Sequence, residues 1–211
     1  MVNIVSPKVE IMTPIDGVYI CKFLEQCARN CYKSEGSITD ESYKSMLLKL
    51  IELGHTAMLE HFSITAKLTC DVGVYKDLTR HRCASYAIES TRYCNYSKDK
   101  FGNEITIIKP CNLEEGSEEY NAWLKCMQSI EDTYNKMASM GCKPDQMRMI
   151  LPHSTKADVV FTANIRELRH VFNLRCAKFA HPSVQEIMKI YLTQLHEQIP
   201  ILFDDLYEKY C

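Results

Sequence analysis

The sequence predicts a helix-rich α+β domain, of mixed α/β character. Three observations carry that expectation: several long segments repeat apolar residues at helical spacing, shorter runs alternate at strand spacing, and the two kinds are interleaved without a regular βαβ rhythm. At 211 residues, 46% hydrophobic and 25% charged, the chain is long enough to bury a core and too apolar to stay disordered. No repeat, low-complexity segment or linker divides it, so one domain over residues 1–211 is expected.

Residues 16–32 read as the first helix. "TDESYKSMLLKLIELG" follows with Thr39 as a cap, Asp40 and Glu41 in the first turn, a stripe of Tyr43, Met46, Leu47, Leu50 and Ile51, and Gly54 as the stop. In "HFSITAKLT" the apolar Phe62, Ile64, Ala66 and Leu68 alternate with polar residues, so the period switches to that of a strand. A short helix over residues 74–82 and a second strand in "GNEITIIKP", ended by Pro110, come next. A long helix over residues 117–140 closes at Gly141, and Pro144 opens a short helix that carries Arg148. "KADVVFTAN" reads as a strand, residues 164–176 as a helix, and the last long helix starts at Pro182 with Val184, Ile187, Met188, Tyr191, Leu192, Leu195 and Ile199 on one face.

Composition narrows the function. A net charge of −2 offers no general pull toward nucleic acid or acidic membranes. Eleven cysteines, an odd number at irregular spacing, suit reduced thiols better than a disulfide framework. No Cys-x-x-Cys pair exists, and Cys27 and Cys31 are only i, i+4 neighbours, so no metal site is expected. The opening residues show no signal peptide and no apolar run approaches the roughly 20 residues of a membrane span, so a cytoplasmic protein is expected.

Against this mild acidity, "TRHRCASYAIESTRYCNYS" at residues 79–97 stands out. Arg80, Arg82 and Arg92 repel one another unless an anion lies among them, so the segment reads as an anion site, with phosphate the natural ligand. No Gly-x-Gly-x-x-Gly or Walker-type loop is present, and side chains must do the binding. In the later helix, Arg175 falls in the arc of Ile165, Leu168, Val171 and Phe172; a guanidinium aimed at a core needs an ion-pair partner or a ligand. Arg166, His170 and Asn173 form a separate polar stripe. The spacing in "GHTAMLEH" does not make the His-Glu-x-x-His pattern of a metalloprotease. Ser85, Ser90, Cys83 and Cys94 lie near His81, but no third group is spaced to orient that histidine, which argues against a covalent hydrolase.

Arg80-His81-Arg82, seven further residues, Ser90 and then Arg92-Tyr93 resemble the signature of the flavin-dependent thymidylate synthases, the ThyX family. Supporting matches are Gly54-His55 with Glu60-His61, Arg148 before "MILP", Asn164-x-Arg166 with His170, and "NLR" ending at Arg175.

The resemblance implies a ThyX-type domain with a central antiparallel-rich sheet surrounded by helices. It implies a homotetramer whose active sites draw on several chains. Such enzymes make dTMP from dUMP with the methylene of 5,10-methylenetetrahydrofolate and with reducing equivalents from NADPH through FAD, and they use no enzyme thiolate. By the same resemblance His55, Ala57, Glu60, Arg80, His81, Arg82, Cys83, Asn164, Arg166 and His170 serve FAD. Asp77, Arg80, Glu89, Ser90, Thr91, Arg92, Arg148 and Arg175 serve dUMP, with Arg175 the catalytic residue that stabilises negative charge on the uracil ring. Many relatives carry Asn and Glu where this chain has Ala87 and Ile88, and Ser or Thr where it has Ala57. A noncatalytic nucleotide- or RNA-binding module is the competing reading, disfavoured by the overall charge.

Overall fold

The computed structural model describes residues 2–94, 96 and 104–211. Asn95 and Ser97 of the basic stretch, and Gly102 and Asn103 of the expected second strand, lie outside the described residues. Helices and strands are mixed, and a four-stranded, mostly antiparallel sheet is accompanied by a two-stranded parallel one. The larger sheet has the order β2-β3-β6-β4, where β2 is Lys8–Ile11, β3 Ser63–Asp71, β4 Ala84–Ile88 and β6 Lys156–Asn164.

The chain divides into two compact units. The first comprises residues 1–8, 68–80 and 87–160. In it β1 (Asn3–Val5) pairs in parallel with β5 (Thr106–Ile108), with Asn3 opposite Thr106. The long helix α4 (Glu118–Ser139) begins where the Ser117 hydroxyl accepts the Tyr120 N–H at 3.1 Å, and the chain leaves it at Gly141, whose φ of +82° suits only glycine without strain. One face of α4 buries Met127 and Tyr134 against Tyr96, Ile105, Ile107 and Met147. Glu131 on the same helix is buried but accepts the Ile105 N–H at 3.0 Å, so its carboxylate ties helix to strand.

The second unit comprises residues 9–67, 81–86 and 161–211. It holds α1 (Gly17–Asn30), α2 (Ser42–Glu52), α6 (Ile165–Arg175), α7 (Pro182–Gln198) and α8 (Pro200–Tyr210). Phe172 sits at the centre of its aromatic core, edge-on to Tyr191 at 5.5 Å and to Phe203 at 5.9 Å. Strand alternation appears as expected: Ile64 and Ala66 of β3 are fully buried while Thr65 between them is not, and the Thr65 hydroxyl bonds that of Thr162 on β6 at 2.9 Å.

Several boundaries differ from the sequence expectation. Thr39 does not cap α2, because the Ser42 hydroxyl accepts the Thr39 N–H at 2.9 Å and donates to the Thr39 carbonyl, which delays the helix to Ser42. Helix α3 spans Val72–Leu78 rather than residues 74–82, since Asp71 caps it through the Val74 N–H at 2.8 Å. Arg80-His81-Arg82 therefore lies beyond the helix, and the unexpected strand β4 follows it. Arg148 ends the four-residue helix α5 (Pro144–Met147) rather than riding within it. Pro200 separates α7 from α8: the residue before a proline avoids helical geometry, and Ile199 is at φ −140°, ψ 64°.

Candidate active site

In the second unit, α6 is the element on which site residues concentrate. Asn164 caps it by accepting the Glu167 N–H at 2.8 Å, so the helix starts at Ile165, one residue inside the expected span. Arg175, one residue before the C-cap, is half-buried and donates from Nε to Nε2 of His81 at 3.0 Å. The partner of the core-facing arginine thus includes an imidazole. His81 itself is 6% exposed, and its Nδ1 lies 3.3 Å from Glu167 Oε1. The Tyr86 hydroxyl donates to the His81 carbonyl at 3.0 Å, and the His170 ring stands edge-on to His81 at 5.8 Å. Burial, and then the Glu167 charge, push the Tyr86 phenol up to about 12, while Arg175 works in the opposite direction.

Donor atoms of His81, Glu167 and His170 lie within 4.8 Å of one another, close enough for a metal. A guanidinium bonded to the same imidazole places a fixed positive charge beside any dication there, and the Arg175–His81 hydrogen bond together with the 3.3 Å His81–Glu167 contact already accounts for the arrangement. We read the cluster as a hydrogen-bonded relay.

Around the turn after α2, Gly54 takes φ +73° and redirects the chain to His55 and the 3-10 turn Ala57–His61. Glu60 in that turn pairs with Arg166 on α6. Both side chains are about half exposed, so the pair is worth only about 0–1 kcal/mol and an anion can compete for the arginine. A cavity of about 370 Å³ opens here, lined by Tyr32, Leu50, His55, Ala57, Met58 and Arg166 among others. Its mixture of flat apolar walls and one cation suits part of a flavin dinucleotide. Arg82, Cys83 and His170 are exposed.

In the first unit, Ser90 organises a turn, its carbonyl accepting N–H groups from Tyr93 and Cys94 at 3.1 and 3.0 Å. Thr91 and Arg92 sit on that turn, with the exposed Arg92 guanidinium 5.7 Å from the Tyr93 ring centre. Arg80 and Arg148 are exposed, and Asp77 lies in α3 with its carbonyl accepting the Arg80 N–H at 3.3 Å. Glu89 is engaged internally: Lys156 donates to it at 2.9 Å, Tyr96 at 3.3 Å and the Asp158 N–H at 3.2 Å. Burial opposes the charge of Lys156, yet its bonds to Asp158 and Glu89 hold its pKa above the ordinary value. Any dUMP contact by Glu89 competes with these three donors.

Glu167 and Lys156 were not singled out in the sequence, and Tyr86 stood there only as one hydroxyl of the 79–97 stretch. Only Glu167 left a signal, as the third residue after an Asn cap, and that pattern speaks of helix capping before it speaks of chemistry.

A family model described as thymidylate synthase complementing protein matches residues 21–201. The chain belongs to that family. Among relatives of the chain, a flavin-dependent thymidylate synthase of Pyrococcus abyssi is 30% identical over 151 residues, which make up 71% of this chain and 61% of that protein. One from Geobacter sulfurreducens is 28% identical over 185 residues, 84% of this chain and 78% of that one. The chain thus aligns with about 61% of the length of the Pyrococcus abyssi relative. Among solved structures, thymidylate synthase X from Helicobacter pylori with FAD and dUMP shares the fold at a TM-score of 0.75 and 20% identity, over 96% of this chain and 99% of that one. A UMP/dUMP methylase, PolB, from Streptomyces cacaoi bound with 5-Br dUMP does so at 0.76 and 20% identity, over 99% and 98%.

Proposed function

We propose that this chain is a flavin-dependent thymidylate synthase, methylating dUMP to dTMP in nucleotide biosynthesis. The observation that carries the reading is the family match over residues 21–201, within which every residue assigned to a ligand falls. The fold neighbours with FAD and dUMP, or with 5-Br dUMP, support the same substrate class.

FAD fits the donor set of the second unit. Arg166 and Arg82 supply positive charge and, with His170, hydrogen-bond donors for a pyrophosphate, and Tyr32, Leu50, Ala57 and Met58 offer an apolar wall for a flat ring. When bound, FAD carries reducing equivalents from NADPH to the transferred carbon, which comes from 5,10-methylenetetrahydrofolate. Cys83, Arg80, His81, Glu60 and Asn164 complete the flavin set, Asn164 through the amide nitrogen that capping leaves over.

Ser90, Thr91, Arg92 and Arg148 hold the phosphate and sugar of dUMP, with Arg80, Asp77 and Glu89 beside them. Arg175 acts on the uracil ring, where its guanidinium stabilises the anion formed as ring nitrogen 3 loses its proton and carbon 5 becomes nucleophilic. Each active site draws on several copies of the chain in a homotetramer, so Arg175 and the phosphate residues need not come from one copy. The chain works as one synthase domain in the cytoplasm. No helix of the described residues is long and apolar enough to cross a membrane.

The test is an anaerobic assay of the purified protein with dUMP, methylenetetrahydrofolate and NADPH, following dTMP and the flavin absorption bands. Formation of dTMP by wild type, and its loss in Arg175→Ala with flavin bands retained, is the expected result. A protein that neither carries nor takes up FAD overturns the reading.

A further inference from the structure

From the hydrogen bonds around His81 we infer that Glu167 is a positioning residue for Arg175, acting through His81. The inference rests on the synthase reading for its catalytic consequence, but the hydrogen-bond relay stands on geometry alone.

A guanidinium can only donate, so the 3.0 Å bond from Arg175 Nε requires a lone pair on His81 Nε2. The proton of a neutral ring must then lie on Nδ1. That nitrogen is 3.3 Å from Glu167 Oε1, and a carboxylate can only accept. The donor order is therefore set from end to end: Nδ1–H of His81 to Glu167, and Nε–H of Arg175 to His81. One carboxylate determines which face of the imidazole is an acceptor.

The consequence falls on the arginine. Nε is the inner nitrogen of the guanidinium fork, and bonding it fixes the plane of the group and so the direction of Nη1 and Nη2. The surroundings are built to hold this pose. His81 is 6% exposed, its carbonyl is gripped by the Tyr86 hydroxyl at 3.0 Å, and Glu167 and Arg175 share one rigid helix. Without Glu167 the ring is free to place its proton on Nε2. A donor then faces the Arg175 donor, and the guanidinium turns away.

Misplacing a reacting group by about 1 Å can cost about 100-fold in rate. Glu167→Ala is accordingly expected to lower kcat per bound flavin by roughly 10- to 100-fold. KM for dUMP should change much less, because its phosphate is held by other residues. Glu167→Gln, which keeps an accepting oxygen, should recover most of the loss.

The experiment combines this kcat and KM comparison with nitrogen-15 NMR of the histidine rings, His81 being assigned by its absence in His81→Gln. The expected wild-type state is a neutral His81 with its proton on Nδ1, lost or mixed in Glu167→Ala and restored in Glu167→Gln. An Nε2-protonated wild-type ring, or normal kcat in Glu167→Ala, overturns the proposal. A loss of folded, flavin-loaded protein with normal turnover per flavin also overturns it, because that is the mark of a merely structural residue. A wild type that forms no dTMP sinks the synthase reading instead, and the relay is then decided by the tautomer alone.

Discussion

Arg29 clasps the buried carboxylate of Glu25 through two nitrogens, Nε at 2.8 Å and Nη2 at 2.7 Å, one turn apart on α1. The Glu25 side chain is 1% exposed and its second oxygen has no hydrogen-bond partner among the described residues, so the charge depends on this arginine. Breaking a buried pair by removing one member typically costs about 3–5 kcal/mol, because the other charge is left in a poor solvent. Arg29→Ala should lower unfolding stability in urea by that amount. Replacing both residues with leucine should cost far less, and equal losses in the two variants would show that the charge pairing is not the stabilising feature.

Gly17 opens α1 against the end of α7. A Cβ at this position would lie 2.2 Å from the Gln198 carbonyl oxygen, a distance that no rotamer can relieve because the Cβ position is set by the backbone and its partner is a backbone carbonyl. Gly17→Ala should destabilise the protein by about 1–3 kcal/mol through forced movement of the helix ends. An alanine variant with an unchanged melting temperature would show that the two backbones separate freely.

Tyr86 makes a pH prediction. Its pKa is raised from the ordinary 10.0 to about 12, first by burial and then by the Glu167 charge. Below 10.0 the phenol is protonated in the folded and unfolded chains alike and contributes no pH dependence. Between 10.0 and about 12 only the folded chain keeps the proton, so stability falls as pH rises through this range. The ultraviolet phenolate difference between wild type and Tyr86→Phe should therefore emerge late in an alkaline titration. A difference already complete near the ordinary value would contradict the buried environment.

Arg148 is exposed at the end of α5 and tests the nucleotide assignment. A charge-assisted phosphate bond contributes about 1.5–3 kcal/mol. Arg148→Ala should weaken dUMP binding by roughly 10- to 100-fold in a calorimetric titration, while deoxyuridine, lacking the phosphate, binds both proteins equally. Equal loss for both ligands would mean that the residue shapes the fold rather than the phosphate site.

Much of the architecture was legible in local patterns. The helix expected from residue 164, the stops at Gly54 and Gly141, and the alternation of Ile64, Ala66 and Leu68 each express a preference of a few neighbouring residues, and the structure obeys them. The strands β1, β2 and β4 were not legible. Two of them have only three or four residues, and β4, "ASYAI", carries few strongly apolar side chains, so their order comes from partners distant in sequence, such as Asp158 accepting the Glu89 N–H at 2.9 Å just past β4. The same limit applies to α8, which a continuous apolar pattern from Pro182 onward conceals until Pro200 breaks it.

By itself the sequence determined the family, the class of fold and the residue types available to bind anions, because these reside in motif spacing and in short-range periodicity. It also pointed Arg175 inward. Only the tertiary structure decided what that arginine meets, since His81 and Arg175 are 94 positions apart and the direction of a hydrogen bond depends on which atoms face each other. Glu167 shows the same division: along the chain it is a helix-capping pattern, and in space its carboxylate decides where an imidazole keeps its proton.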